Sequence, residues 1–170
     1  MNQVTTKPRS GFDTAKIAMI VVLGSETFFF GTLVSAYLFM RGVYPWPMAE
    51  TTLARLTVPI ANSIVLLISV VSMYLSLRAV RAGKKTALVR WSALTLILGL
   101  VFVAGQVFEY TSNGMLPNDE GFGGVFLTLM GFHALHLLAG VVILGLIVMR
   151  ARLGDFTPRR HVAVEVGAWF

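Results

Sequence analysis

The chain has 170 residues, 56% of them hydrophobic and only 13% charged. A soluble domain of this length has too much surface for its volume to hide so many apolar side chains, so a soluble globular fold is excluded. Cysteine is absent, which removes disulfides and thiolate metal sites, and the net charge of +6 has to be explained by where the cations sit.

Four continuous apolar runs stand out: Ile17–Met40, Val58–Leu77, Trp91–Tyr110 and Phe122–Met149. Crossing a bilayer takes about 20 apolar residues, and each run is of that order. The reading is an all-α, polytopic transmembrane bundle forming one domain, 1–170. Its spans cover about 14–41, 57–80, 89–112 and 122–150, with 161–170 as the start of a fifth. The first run exceeds a signal-peptide core of roughly 7–15 residues and no small-residue cleavage site follows it, so it is expected to be retained.

Of the 14 Lys and Arg, only Arg41 and Arg55 fall on the other side, between the first and second spans. The other twelve precede or open the first span, join the second to the third, or follow the fourth. The positive-inside rule therefore puts the N-terminus in the cytoplasm, or on the matrix side in an organelle. Charges so placed suit anionic lipid and need no special site, and no nucleic-acid partner is expected.

Taken in order, the first span carries Glu26 ten residues beyond Lys16. At 1.5 Å per residue that is roughly 15 Å deep, near the midplane. Gly24, Ser25, Gly31, Thr32, Ser35 and Ala36 are small and would allow close helix contact. Tyr37, Tyr44 and Trp46 mark the outer interface around a turn at Pro45 and Pro47. The second span starts near Thr57, with Pro59 in its first turn, Asn62 early, and Ser63, Ser69, Ser72 and Ser76 along it. Asn62 suits an interhelical hydrogen bond better than a ligand. Arg78 to Arg90 is read as a basic turn around Gly83.

The third span places Gln106 and Glu109 on one face in its last turns. Glu109 is either a wetted interfacial carboxylate or a partner for the next loop. Outer turns are expected at Asn113-Gly114 and Pro117-Asn118, with Gly121, Gly123 and Gly124 opening the fourth span. That span holds His133 and His136, three residues apart and so on one helical face. Ionisable groups at that depth normally face protein rather than lipid. Fourteen residues from the outer end of either span reach Glu26 and His136, about 21 Å down in both cases. A Glu26–His136 or Glu26–His133 pair is therefore geometrically allowed and would relieve the cost of burying either group alone. After Arg160 comes a further apolar run, Val162 to Phe170, with Glu165 inside it; nine residues do not span, and the chain is read as stopping within its last helix.

Three chemistries compete for the histidines. Bis-His haem ligation needs rings on opposite sides of the iron, whereas these share one face and His161 lies at the cytoplasmic edge. A metal site would use Glu26, His133 and His136, with only Gln106 or Ser25 to complete it at that depth. The remaining reading is a buried Glu–His hydrogen-bonded pair that locks helices together or passes protons. No nucleophile–base constellation or phosphate loop is present, and Gly83 alone does not make a nucleotide loop.

Five blocks together carry a resemblance. They are Ser25-Glu26-Thr27-Phe28-Phe29-Phe30, Asn62-Ser63-Ile64-Val65-Leu66-Leu67, Gly105-Gln106-Val107-Phe108-Glu109-Tyr110, Gly131-Phe132-His133-Ala134-Leu135-His136, and His161 through Glu165 to Trp169-Phe170. In order and spacing the chain resembles subunit III of the haem-copper terminal oxidases, the cytochrome c and quinol oxidases, in their shorter five-helix form. The resemblance implies a non-catalytic subunit without active site, haem or copper of its own, in a complex that reduces oxygen and translocates protons. Haem and copper would sit in partner subunits. The chain would pack against catalytic subunit I, bind structural phospholipid and support proton uptake, with a bacterial plasma membrane expected ahead of the inner mitochondrial membrane. The family's buried helix carboxylate falls on Glu26, its paired histidines on His133 and His136, and a further glutamate on Glu109. The two extra N-terminal helices of seven-helix members are missing, as is the end of the family's last helix, which a truncated chain would explain. The competing readings are a stand-alone proton-coupled carrier, for which no internal repeat is seen, and a membrane haem-binding protein.

Overall fold

The computed structural model describes residues 14–43, 53–112, 122–158 and 161–170. Among the described residues five helices follow in order: α1 (Thr14–Val43), α2 (Leu53–Arg81), α3 (Lys85–Ser112), α4 (Phe122–Leu153) and α5 (Val162–Trp169). The first four are long and apolar enough to cross a membrane. The fifth is described over eight residues, about 12 Å of helix. The outer turns expected around Pro45 and Pro117, and the segment up to Asp13, lie outside the described residues.

Most of the basic stretch from Arg78 to Arg90 is helix, and the turn is much shorter than the sequence suggests. Helix continues to Arg81 and resumes at Lys85, leaving three residues between. Gly83 takes φ +69°, a left-handed conformation that glycine adopts without strain. The turn is closed by Gly83 N–H to Val80 O and Lys84 N–H to Ala79 O, each 3.0 Å. Cations opening α3 oppose the helix dipole, which is why local pattern argues against helix there. The connection succeeds because it is so short: α2 and α3 are forced side by side and antiparallel.

The helices lie in the lateral order α2, α3, α4, α1. Among the described residues α1 touches only α4 and α5, while α5 touches α1, α2 and α4. Dense packing is confined to the basic, inner end. There Met73, Ala79 and Val80 of α2, Leu88 of α3, Ile147 and Ala151 of α4 and Val164 of α5 form the buried core. Towards the outer end the helices present apolar side chains outward, and α1 has no buried residue at all. Lipid solvates such surfaces, so the hydrophobic effect does not draw helices together within the bilayer; packing and polar contacts do.

Two hydroxyl pairs supply polar contacts between α2 and α3. Ser72 Oγ lies 2.7 Å from Thr95 Oγ1, and Ser76 Oγ lies 2.7 Å from Ser92 Oγ, all four residues being buried. Farther out, the carboxamide of Asn62 lies directly over Gly105, where any Cβ would collide with it. The small residues of α1 do not act as expected. A Cβ at Gly24 or Gly31 would meet nothing within 4 Å. The hydroxyls of Ser25, Thr27, Thr32 and Ser35 donate to carbonyls of their own helix. Spacing identifies small residues; only the packing shows which face a neighbour.

Candidate functional site: a carboxyl–imidazole contact inside the bundle

Glu26 and His136 meet. Oε1 of Glu26 lies 3.2 Å from Nδ1 of His136, joining α1 to α4 within the membrane-spanning region. Both side chains are largely shielded, 29% exposed for Glu26 and 24% for His136. The contact accommodates two proton positions. A neutral or charged imidazole donates its Nδ1–H to a carboxylate, or a protonated carboxyl donates its O–H to Nδ1. Either arrangement satisfies a polar group that would otherwise be costly in an apolar medium.

Aromatic rings wall the pair. Phe170, the residue after α5, stacks on the His136 ring with centroids 4.5 Å apart and planes at 28°. Phe30 meets the same ring edge-on at 5.8 Å and the His133 ring at 6.3 Å. Phe29 packs edge-on against Phe132 at 4.8 Å, a second α1–α4 contact one turn farther out. Phe30 and Phe170 cover part of the His136 ring, while the pair stays about a quarter exposed.

His133 does not join the pair. It is half-buried and has no side-chain hydrogen bond among the described residues. Its position one turn beyond His136 brings it against Phe30 rather than Glu26. The three-residue set considered from the sequence is therefore a two-residue contact with a neighbouring ring, and among the described residues no three His, Asp or Glu converge.

Asn62 is buried, 8% exposed, against Gly105 of α3, and its Nδ2 has no partner among the described residues. Gln106 and Glu109 are half-buried, and neither side chain joins the Glu26–His136 hydrogen bond. The loop that Glu109 was expected to address lies outside the described residues.

Glu165 occupies a different and strongly charged setting. Its Oε2 accepts from Lys16 Nζ at 2.7 Å and its Oε1 from Arg81 Nη2 at 3.1 Å. One carboxylate thus ties the inner ends of α1 and α2, helices that have no direct contact among the described residues. In the sequence both cations read only as topology signals. Phe170 carries no local signal either, and stands out only as the end of the last resembling block.

Beside this lies a groove of about 410 Å³ between α2, α3 and α4. Leu66, Val70, Leu98, Phe102 and Val141 line it, while His136 and the α5 tip from Gly167 to Phe170 form one end. Its walls are mostly apolar, with Ser69, Tyr74, Thr95, His136 and Trp169 as the lining residues that carry polar side-chain atoms.

Spans of this length, held together by hydroxyl pairs and a mid-depth acid–imidazole contact, define a polytopic helical membrane protein built around a half-buried polar pair. The chain's sequence specifies which one. The family profile described as cytochrome c oxidase subunit III matches residues 5–170. The cytochrome c oxidase subunit 3 of Thermostichus vulcanus is 33% identical over 156 residues, covering 91% of this chain and 77% of that protein. That of Synechocystis sp. is 32% identical over 155 residues, covering 90% and 66% respectively. That of Danio rerio is 32% identical over 163 residues, covering 91% and 62%. The chain belongs to the cytochrome c oxidase subunit III family.

Proposed function

We propose that the chain is a non-catalytic membrane subunit of a terminal oxidase complex that reduces oxygen and translocates protons in aerobic respiration. In this reading it packs against the catalytic subunit I, which with other partners carries the haem and copper, while this chain holds no redox group. It stabilises the catalytic subunit, binds structural phospholipid and supports proton uptake. A bacterial plasma membrane is its setting; the relative from Thermostichus vulcanus is covered over 77% of its length and that from Danio rerio over 62%.

Family membership across residues 5–170 is the observation that carries this reading. The geometry supports it further. α1 has no buried residue, so its apolar surface is left for lipid or a neighbouring subunit. The Glu26–His136 contact fixes that helix to α4 through a group able to hold a proton in two positions. The basic inner end, where Arg78, Arg81, Lys84, Lys85, Arg90, Arg150 and Arg152 gather, suits anionic phospholipid headgroups.

The test is affinity purification from native membranes through a tag on this chain. Larger membrane subunits with haem absorbance are expected to co-purify in fixed ratio. Recovery of a solitary chain, transporting protons in liposomes without companions, would refute the assignment.

A further inference from the structure

α5 contacts both helices that carry the Glu26–His136 pair. At its start, Glu165 holds Lys16, which opens α1, the helix carrying Glu26. At its far end Phe170 stacks on His136 of α4, and the same ring lies 3.4 Å from the place a Cβ would take on Gly140. The acid and the imidazole are thus held from two helices by one connecting segment.

The need for such a segment follows from how loosely α1 is otherwise placed. It buries no residue, touches only α4 and α5 among the described residues, and its glycines make no close approach. A helix in that situation is easily shifted along its neighbour. A slide of one residue moves it about 1.5 Å and turns its face by about 100°, enough to carry a side chain off its partner. Lys16 and Glu26 lie on the same rigid helix ten residues apart, so fixing the first at the inner face fixes the height and facing of the second.

We propose that Glu165 and Phe170 are positioning residues for the Glu26–His136 contact. The Lys16–Glu165 ion pair sets the register of α1, so that Glu26 faces α4 at the level of His136. Phe170 sets the plane of the imidazole from its other face. Arg81 has a separate part: it belongs to α2 and fastens α5 to the α2–α3 hairpin, so it anchors the segment without touching α1. The contact lies within this chain, so the inference stands apart from the assembly proposed above.

Infrared difference spectroscopy of the protein, in the assembly in which it is purified, reads the carboxyl directly. The band lost in Glu26→Gln identifies Glu26. In Lys16→Met and in Glu165→Gln that band is expected to shift and broaden as the carboxyl loses its imidazole partner. In Arg81→Gln it is expected to keep its position, and Phe170→Leu is expected to shift it through the ring. An unchanged band in Lys16→Met and Glu165→Gln would overturn the proposal. So would an equal shift in Arg81→Gln, since that pattern signals general loosening rather than control of α1. Should Glu165→Gln fail to assemble, Lys16→Met decides alone, because Lys16 is 28% exposed and its loss leaves Glu165 paired with Arg81.

Discussion

Gly105→Ala isolates the close approach of α3 to α2. Glycine in mid-helix costs about 1 kcal/mol relative to alanine, so on propensity alone the substitution stabilises. The packing opposes this. The added Cβ would collide with Oδ1, Nδ2 and Cγ of Asn62, and Asn62 is only 8% exposed, so its carboxamide has little room to retreat. Overpacking of this kind costs about 1–3 kcal/mol. Taking about 2 kcal/mol against a gain of about 1, the net is a loss of about 1 kcal/mol, close to fivefold in the equilibrium constant. Asn62→Ala removes the obstruction, and because Nδ2 has no partner among the described residues, that change sacrifices packing more than hydrogen bonding. In the Asn62→Ala background Gly105→Ala is therefore expected to stabilise by about 1 kcal/mol, giving a coupling of about 2 kcal/mol between the positions. Unfolding in mixed micelles by added SDS, followed through helical circular dichroism in all four variants, measures that coupling. Additive effects, or a Gly105→Ala chain more stable than the parent, would refute a steric contact between Asn62 and the α3 backbone.

Ser76→Ala leaves the fully buried Ser92 hydroxyl without its partner; a loss of about 0.6 kcal/mol, and at most about 1.7, is expected in the same assay, with Ser76→Ala/Ser92→Ala costing less than the two single changes added. Gly154→Ala forces a left-handed residue, φ +87°, at the end of α4 and pushes its Cβ into the Lys85 side chain; a cost of about 1–2 kcal/mol is expected in thermal unfolding, whereas Gly145→Ala, which meets nothing within 4 Å, is expected to be neutral or stabilising. Glu26→Gln in the purified oxidase is expected to leave the haem spectra of the complex unchanged while shortening the time over which turnover is sustained; identical assembly, rate and lifetime would remove any role for the carboxyl.

What the sequence disclosed and what it withheld follow from the range of each interaction. The four spans were legible because crossing a bilayer needs only length and apolarity, both local properties. The Glu26–His136 contact was legible because helical rise is constant: equal counts from the outer ends of two spans give equal depths. The ends of the spans are known from sequence only to within about a turn, so His133 and His136 both stay candidates until the packing of α1 on α4 selects the second. Ser72 and Ser76 are visible as recurring hydroxyls, but their partners Thr95 and Ser92 depend on the register between α2 and α3. That register is set by a three-residue turn hidden inside a run of cations that reads as loop. Lys16 and Arg81 are visible only as topology signals, since nothing local to either residue indicates that Glu165 will be brought between them.

The range of each interaction also explains why the two polar centres fall where they do. At the inner end the short α2–α3 turn and the base of α5 draw four helices into a core, and there a charged carboxylate can be surrounded by two cations at the headgroup boundary. Towards mid-depth, packing loosens and the surroundings are apolar, so a second carboxyl is accommodated by a hydrogen-bonding partner. α5 spans the distance between these environments in eight residues. Its charged end belongs to the interface and its aromatic end to the membrane interior. In the proposed arrangement a change at the inner face reaches the half-buried pair by two routes, along α1 from Lys16 to Glu26 and through about one turn and a half of α5 from Glu165 to Phe170 and the His136 ring.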